Sequence, residues 1–180
     1  MSTQTDPTRP PASDEYFNYY KTYIQLVPDG DLLKLAEQQI GELRLFFQEV
    51  SESDSMVIHA PYTWSIKQVV GHLIDAERIF ANRLHRFASG DLQALPGMNQ
   101  EPYISNNDYE APSLKSLVDE LLFCRQANLL LLRRIKPRSW NNVGVASDYP
   151  ITVRALAYIM VGHIIHHMQI VRRRLAIQTP

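Results

Sequence analysis

Two histidines four residues apart, His163 and His167 in the run GHIIHH, are the residues best spaced for chemistry in this chain. They lie in a stretch from Thr152 to Leu175 that reads as one continuous amphipathic helix. A helix turns about 100° per residue, so positions i and i+4 sit about 40° apart on one face. Two imidazoles placed in this way can reach one metal ion. A third histidine, His72, lies on another long helical stretch. Three neutral imidazoles from two packed helices would make an open metal site, with room for water or a substrate. An H-x3-H pair also arises where histidines merely pack in a core, each with a hydrogen-bond partner. His72 weighs against that, because three buried imidazoles need three such partners.

Helical wheels refine the assignment. With His163 at zero, His167 falls at about 40°, inside an apolar arc that Leu156, Met160, Val171 and Ile164 complete. His166 falls at about −60°, at the edge of the arc, and suits a ligand role less well. Arg154 and Arg172 fall opposite, on the solvent side. With His72 at zero on its own helix, Ala76, Val69, Phe87, Phe80 and Leu73 form the core arc. Asp75 falls at about −60°, where it could orient the His72 ring. Glu77 falls at about 140°, too far round to share an ion with His72, and better placed to pair with an arginine.

These residues need long helices to hold them, and the chain supplies four. The first starts near Asp31 and carries Leu32, Ala36, Ile40, Leu43, Phe47 and Val50 on one face. The second is capped by Thr63 or Ser65 and runs to about Ser89, with Gly90 beyond it. The third follows Pro112 with Ser113 as its cap and ends before Pro137. The fourth follows Pro150, with Thr152 as its cap. Residues 1–13, rich in Ser, Thr and Pro, read as a disordered tail, and 14–180 as a single domain. Tyr16, Phe17, Tyr19, Tyr20 and Tyr23 mark a segment that should cover the bundle. The links at about 91–112 and 136–150 exceed the usual two to eight residues of a bundle connection and permit crossovers. No strand pattern and no internal repeat is visible.

Composition narrows the function classes. The chain is 45% apolar with a formal charge of −1, so it can build a core and offers no electrostatic footprint for nucleic acid or an anionic membrane. No run approaches the roughly 20 apolar residues of a membrane span, and no leader pattern opens the chain. Cys124 is the sole cysteine, which excludes an internal disulfide and fits a reducing cytoplasmic setting. It falls with Leu117, Leu121 and Leu131, which suits packing rather than nucleophilic attack. Arg172, Arg173 and Arg174 read as a solvated helix end. The zinc-protease frame H-E-x-x-H needs a glutamate after the first histidine, and Ile164 stands there, which argues against that class.

Three segments, WSIKQVVGHLIDAERIF at 64–80, HRFASGDLQALPGMNQEPY at 85–103 and ITVRALAYIMVGHIIHH at 151–167, resemble in order and spacing the DinB-like superfamily. The resemblance covers about residues 15–175 and is far more specific for the superfamily than for an activity. It implies an all-α, up-down-down-up four-helix bundle of DinB/YfiT type, a divalent metal held by His72, His163 and His167, and a homodimer. Related proteins include bacterial transferases and an isomerase that use low-molecular-weight thiols, and others regarded as metal-dependent hydrolases. The look-alikes often read GHExHH and PGFDQ; here Ile164 and Asn99 replace the two carboxylates.

The implied activity is metal-dependent chemistry on a small molecule, with thiol S-transfer ahead of hydrolysis. The alternative is a non-catalytic dimeric bundle that binds a metal or a small molecule. Three neutral ligands leave a divalent ion its full charge, enough to lower the pKa of bound water toward about 7 or to hold a thiolate. Zinc or nickel leads among the metals, and imidazoles accept iron also. Asp75, His166, Asn99 and Tyr103 are the candidates to surround the metal and substrate.

Overall fold

The protein is described here from a computed structural model, which describes residues 9–176. Four long helices form the bundle: α2 (Leu32–Gln48), α4 (Ile66–Ala88), α6 (Leu114–Arg133) and α7 (Val153–Ala176). Each begins where a short polar side chain can replace a missing helical hydrogen bond. Asp31 accepts from the amides of Leu33 and Lys34. Ser65 and Gln68 form a reciprocal capping box at α4. Ser113 accepts from the Ser116 amide, and the Thr152 hydroxyl accepts from the Ala155 amide. Shorter helices are α1 (Lys21–Ile24), α3 (Glu52–Ser55) and α5 (Gln100–Asn106).

Side-chain bonds fix the helix directions. Lys67, at the start of α4, donates to the carbonyls of Glu110 and Pro112 just before α6, and Arg125 farther along α6 meets Glu77. α4 and α6 are therefore parallel. Arg125 also reaches Gln39 and Arg133 pairs with Glu37, so α2 runs against α6. His72 meets His163 while Arg174 meets the Trp64 carbonyl, so α7 runs against α4. The order is up-down-down-up, and the long 91–112 link is the crossover that parallel neighbours require.

The core consists of apolar faces of these helices, including Leu32, Leu43, Ile66, Leu73, Leu84, Leu121 and Leu156. Each such side chain contributes about 1.5–3 kcal/mol on burial. A polar knot crosses the core: Arg125 pairs with Glu77 at 2.9 Å, Asn128 donates to Glu77, and Gln39 donates to the Val161 carbonyl. It joins all four helices.

Three features depart from the sequence reading. A two-stranded antiparallel hairpin, β1 (Val143–Ala146) and β2 (Tyr149–Thr152), precedes α7 where no strand was expected. Its turn places Ser147 and Asp148 at φ of 55° and 67°, a geometry usually signalled by Asn-Gly. Arg154, expected in solvent, is buried and bonded to Glu15 at 2.8 Å. Arg174 is likewise buried, bonded to the carbonyls of Val57 and Trp64, while Arg172 and Arg173 are exposed.

Glu15 is the anchor of the N-terminal cover. Its carboxylate accepts from Arg9, the Ala12 amide, the Thr152 hydroxyl and Arg154. Residues 1–8 of the expected tail lie outside the described residues; Pro11 is buried. The aromatic segment does lie on the bundle, with α1 packed against α7.

Candidate metal centre

His163 and His167 project from one face of α7 toward His72 on α4. The Nε2 atoms of His72 and His163 are 3.2 Å apart, and those of His167 and His163 are 3.1 Å apart. One ligand nitrogen from each of the three falls within 4.8 Å of the others. Nitrogens about 2.0–2.1 Å from one zinc ion at tetrahedral angles would lie about 3.3 Å from each other. The observed separations are close to that value.

The cluster is poorly served without a cation. An imidazole Nε2 carries one proton or one lone pair, so His163 cannot make two good hydrogen bonds with that atom. A metal ion would accept all three lone pairs at once. Burial holds the rings neutral, as ligation requires. It pushes His72 down to about 4, with the charge of His166 adding to the effect. Burial also drives His163 and His167 well below the ordinary histidine value, reinforced by the neighbouring histidines.

Aromatic side chains surround the rings. Trp64 lies 5.4 Å from His72, Phe80 lies 5.6 Å from His163, and Tyr23 lies 5.3 Å from His163. Two glycines, each immediately before one of the histidines in sequence, permit close approaches beside the cluster, Gly162 by Tyr23 and Gly71 by Tyr109. A Cβ on Gly162 would sit 2.1 Å from the Tyr23 carbonyl oxygen, and one on Gly71 would sit 2.4 Å from the Tyr109 ring. A cavity of about 290 Å³ opens beside His167, lined among others by Tyr62, Trp64, Gln100, Glu101, Ile170 and Arg174.

The remaining candidates fall around this site in different ways. Asp75 is buried on α4, but its carboxylate accepts from the Tyr109 hydroxyl at 2.5 Å and faces Arg78; the Nδ1 of His72 has no hydrogen-bond partner. His166 is half-buried against Tyr23 and lies outside the cluster. Asn99 caps α5 from an exposed position, and Tyr103 is half-buried on α5. Neither lines the cavity beside His167, whereas their neighbours Gln100 and Glu101 do. Sequence reasoning missed those two, although Gln100 closes the PGMNQ run. It also missed Tyr23 as a neighbour of the histidines, because nothing local links residue 23 to residue 163. Cys124 is half-buried on α6, and burial raises its thiol above the ordinary value, which suits packing.

Comparison with known proteins adds a family and a fold. The family model of the DinB superfamily matches residues 35–171, and the chain belongs to that superfamily. No curated protein matches it by sequence. Among solved structures it is similar to YfiT from Bacillus subtilis, described as "a probable metal-dependent hydrolase with an unusual four-helix bundle topology". That match has 16% identity, a TM-score of 0.66 and 91% coverage of both chains. It is also similar to the mycothiol-dependent maleylpyruvate isomerase, at 13% identity and a TM-score of 0.64, covering 81% of this chain and 61% of that one. At these identities the likeness speaks for the fold.

Proposed function

We propose that this member of the DinB superfamily is a metal-dependent enzyme acting on a small molecule, with His72, His163 and His167 as the ligands of one divalent ion. The convergence of the three Nε2 atoms carries this reading. Zinc or nickel suits the donor set best, and iron is compatible with it. When bound, such an ion supplies Lewis-acid activation of a thiol or of water.

The protein's own residues supply the rest. Burial keeps the three imidazoles uncharged at neutral pH, so each retains one ring nitrogen with a lone pair for ligation. Trp64, Phe80 and Tyr23 hold the rings in place and limit the approach of water to the cavity side. Gln100 and Glu101 present polar groups at that side. The similarity to a mycothiol-dependent isomerase favours a low-molecular-weight thiol as co-substrate, with thiol transfer ahead of hydrolysis. Ile164 offers no carboxylate on α7 for activating water, which points the same way. The second reading, a non-catalytic metal-binding bundle, draws on the same absence. We assign the working form as a homodimer, because α6 exposes Phe123 and Leu130 on one stripe.

The deciding experiment is elemental analysis of untagged protein beside a His72→Ala/His167→Ala variant. About one equivalent of transition metal, absent from the variant, is expected on a three-ligand site. Equal metal in both would overturn the site. Chelation then separates the two functions: an enzyme loses turnover of thiol and electrophile and regains it with added metal, whereas a binding bundle loses only thermal stability.

A further inference from the structure

A larger cavity, of about 520 Å³, lies away from the histidines, where α4 and α6 end against the 136–142 segment. Its lining includes His85, Ser89, Arg134, Lys136, Arg138 and Asn142, and no lining residue is acidic. His85 is thirteen residues beyond His72 on the same helix, hence about 20 Å along it. The proposed metal chemistry makes no use of this end of the bundle.

Cations at helix C-termini ordinarily serve the free carbonyls there. Here other groups serve all four terminal carbonyls of α4 and two of those of α6. The carbonyls of Phe87 and Ala88 accept from the Asn142 side chain, and that of His85 accepts from the Ser89 amide and hydroxyl. The Arg86 carbonyl accepts from the amides of Ser89 and Asp91. At α6, the carbonyls of Leu131 and Leu132 accept from the amides of Arg134 and Ile135. Asp91, the acidic group just beyond α4, is engaged by Arg86 at 2.6 Å. Among the described residues the side chains of Arg134, Lys136 and Arg138 make no ion pair or hydrogen bond. Three uncommitted cations thus share one concave site in a chain whose net charge is −1.

We propose that this cavity binds a small phosphorylated molecule. Two guanidinium forks and an ammonium group match the two or more charges and several acceptor oxygens of a phosphate or diphosphate group. Ser139 and His85 add further hydrogen-bonding groups to the lining. The volume falls within the range of about 300–1,000 Å³ common for small-molecule sites, which favours a discrete ligand over a nucleic-acid backbone.

Inorganic pyrophosphate is the probe, titrated calorimetrically into the full chain. The metal-free protein is used beside the zinc-loaded one, because a metal ion would itself hold the probe. One saturable site is expected in the metal-free form, and the same arginine-dependent site in the zinc-loaded form beside any binding at the metal. Its affinity should fall at least tenfold in Arg134→Ala and in Arg138→Ala, and stay within twofold in His167→Ala. The two arginines are exposed, and unchanged melting temperatures would show that their variants fold. Absence of saturation at millimolar probe would overturn the proposal, as would affinity that survives both arginine variants. Dependence on His167 would move the probe to the metal centre. Tighter binding of a short DNA duplex than of pyrophosphate would overturn the small-molecule reading. The arginine variants read the same in the metal-free protein whether or not the three histidines hold a metal when loaded.

Discussion

Adjacent histidines His166 and His167 differ by one residue in sequence and by about 100° in direction. In the proposed site, that difference separates a ligand from a bystander. His167→Ala should abolish stoichiometric zinc binding, read by calorimetry or elemental analysis, whereas His166→Ala should leave it within twofold. Equal losses would show that the cluster has been assigned to the wrong imidazoles. Cys124 makes the opposite test. Its thiol is raised by burial and lies on α6, apart from the histidine cluster. Cys124→Ala should therefore leave zinc binding and any thiol-transfer activity intact; an inactive, folded variant would make the thiol a nucleophile after all. At this scale the three histidines were legible in the sequence, because helical spacing fixes direction. Asp75 illustrates the limit. Its angle on the wheel placed it near His72, but the wheel contains no Tyr109, and the carboxylate turned to that hydroxyl instead.

The elements bring residue 23 to residue 163 through one close approach. Gly162 lets α7 meet the Tyr23 carbonyl, and Tyr23 then packs its ring against His163. Gly162→Ala should cost about 1–3 kcal/mol, the usual range for overpacking, read as a lower melting temperature. It should also weaken zinc binding, since the cover no longer seats. An unchanged melting temperature would mean that the N-terminal segment moves aside at no cost. Glu15 holds the other end of this cover. Burial alone would raise its carboxyl, but the Ala12 amide, the Thr152 hydroxyl and the charge of Arg154 outweigh that and hold it below the ordinary value. A depressed carboxyl stabilises the fold fully above its unfolded value, and that contribution is lost as pH falls through the folded one. Glu15→Gln should accordingly lower stability at pH 7 and reduce its loss on acidification below about pH 4.5. Parallel pH–stability curves for both proteins would remove Glu15 from the account.

Across the whole molecule the polar knot of Arg125, Glu77, Asn128 and Gln39 does what no single helix can. It fixes four helices in one register beneath the histidines. Arg125→Ala should cost about 3–5 kcal/mol in denaturant unfolding, because it leaves the Glu77 carboxylate buried and unpaired. A loss under about 1 kcal/mol would indicate that water enters to replace the guanidinium. The stripe of Phe123 and Leu130 belongs to the same scale. Light scattering at micromolar concentration should report a dimer, and Phe123→Asp should shift it to monomer; a wild-type monomer would refute the assigned homodimer.

Local rules sufficed for the four helix starts, because Asp31, Ser65, Ser113 and Thr152 act within three residues of themselves. They sufficed also for the histidine faces, because 3.6-residue periodicity is a property of the backbone alone. The hairpin was hidden because its turn uses Ser-Asp rather than a glycine, and its strands are only four residues each. Arg154 was misplaced because a helical wheel records which side is apolar and not what later covers the other side, and Arg174 because the arginine run was read as a solvated helix end. Glu15 buries one, and the carbonyls of Val57 and Trp64 hold the other. The sequence by itself determined which residues could ligate a metal and which helices carry them. The tertiary structure decided their convergence, their aromatic enclosure and the uncommitted cations at the far end. Those depend on contacts between elements, such as His72 with His163, Tyr23 with His163 and Asn142 with Phe87, which no local pattern encodes.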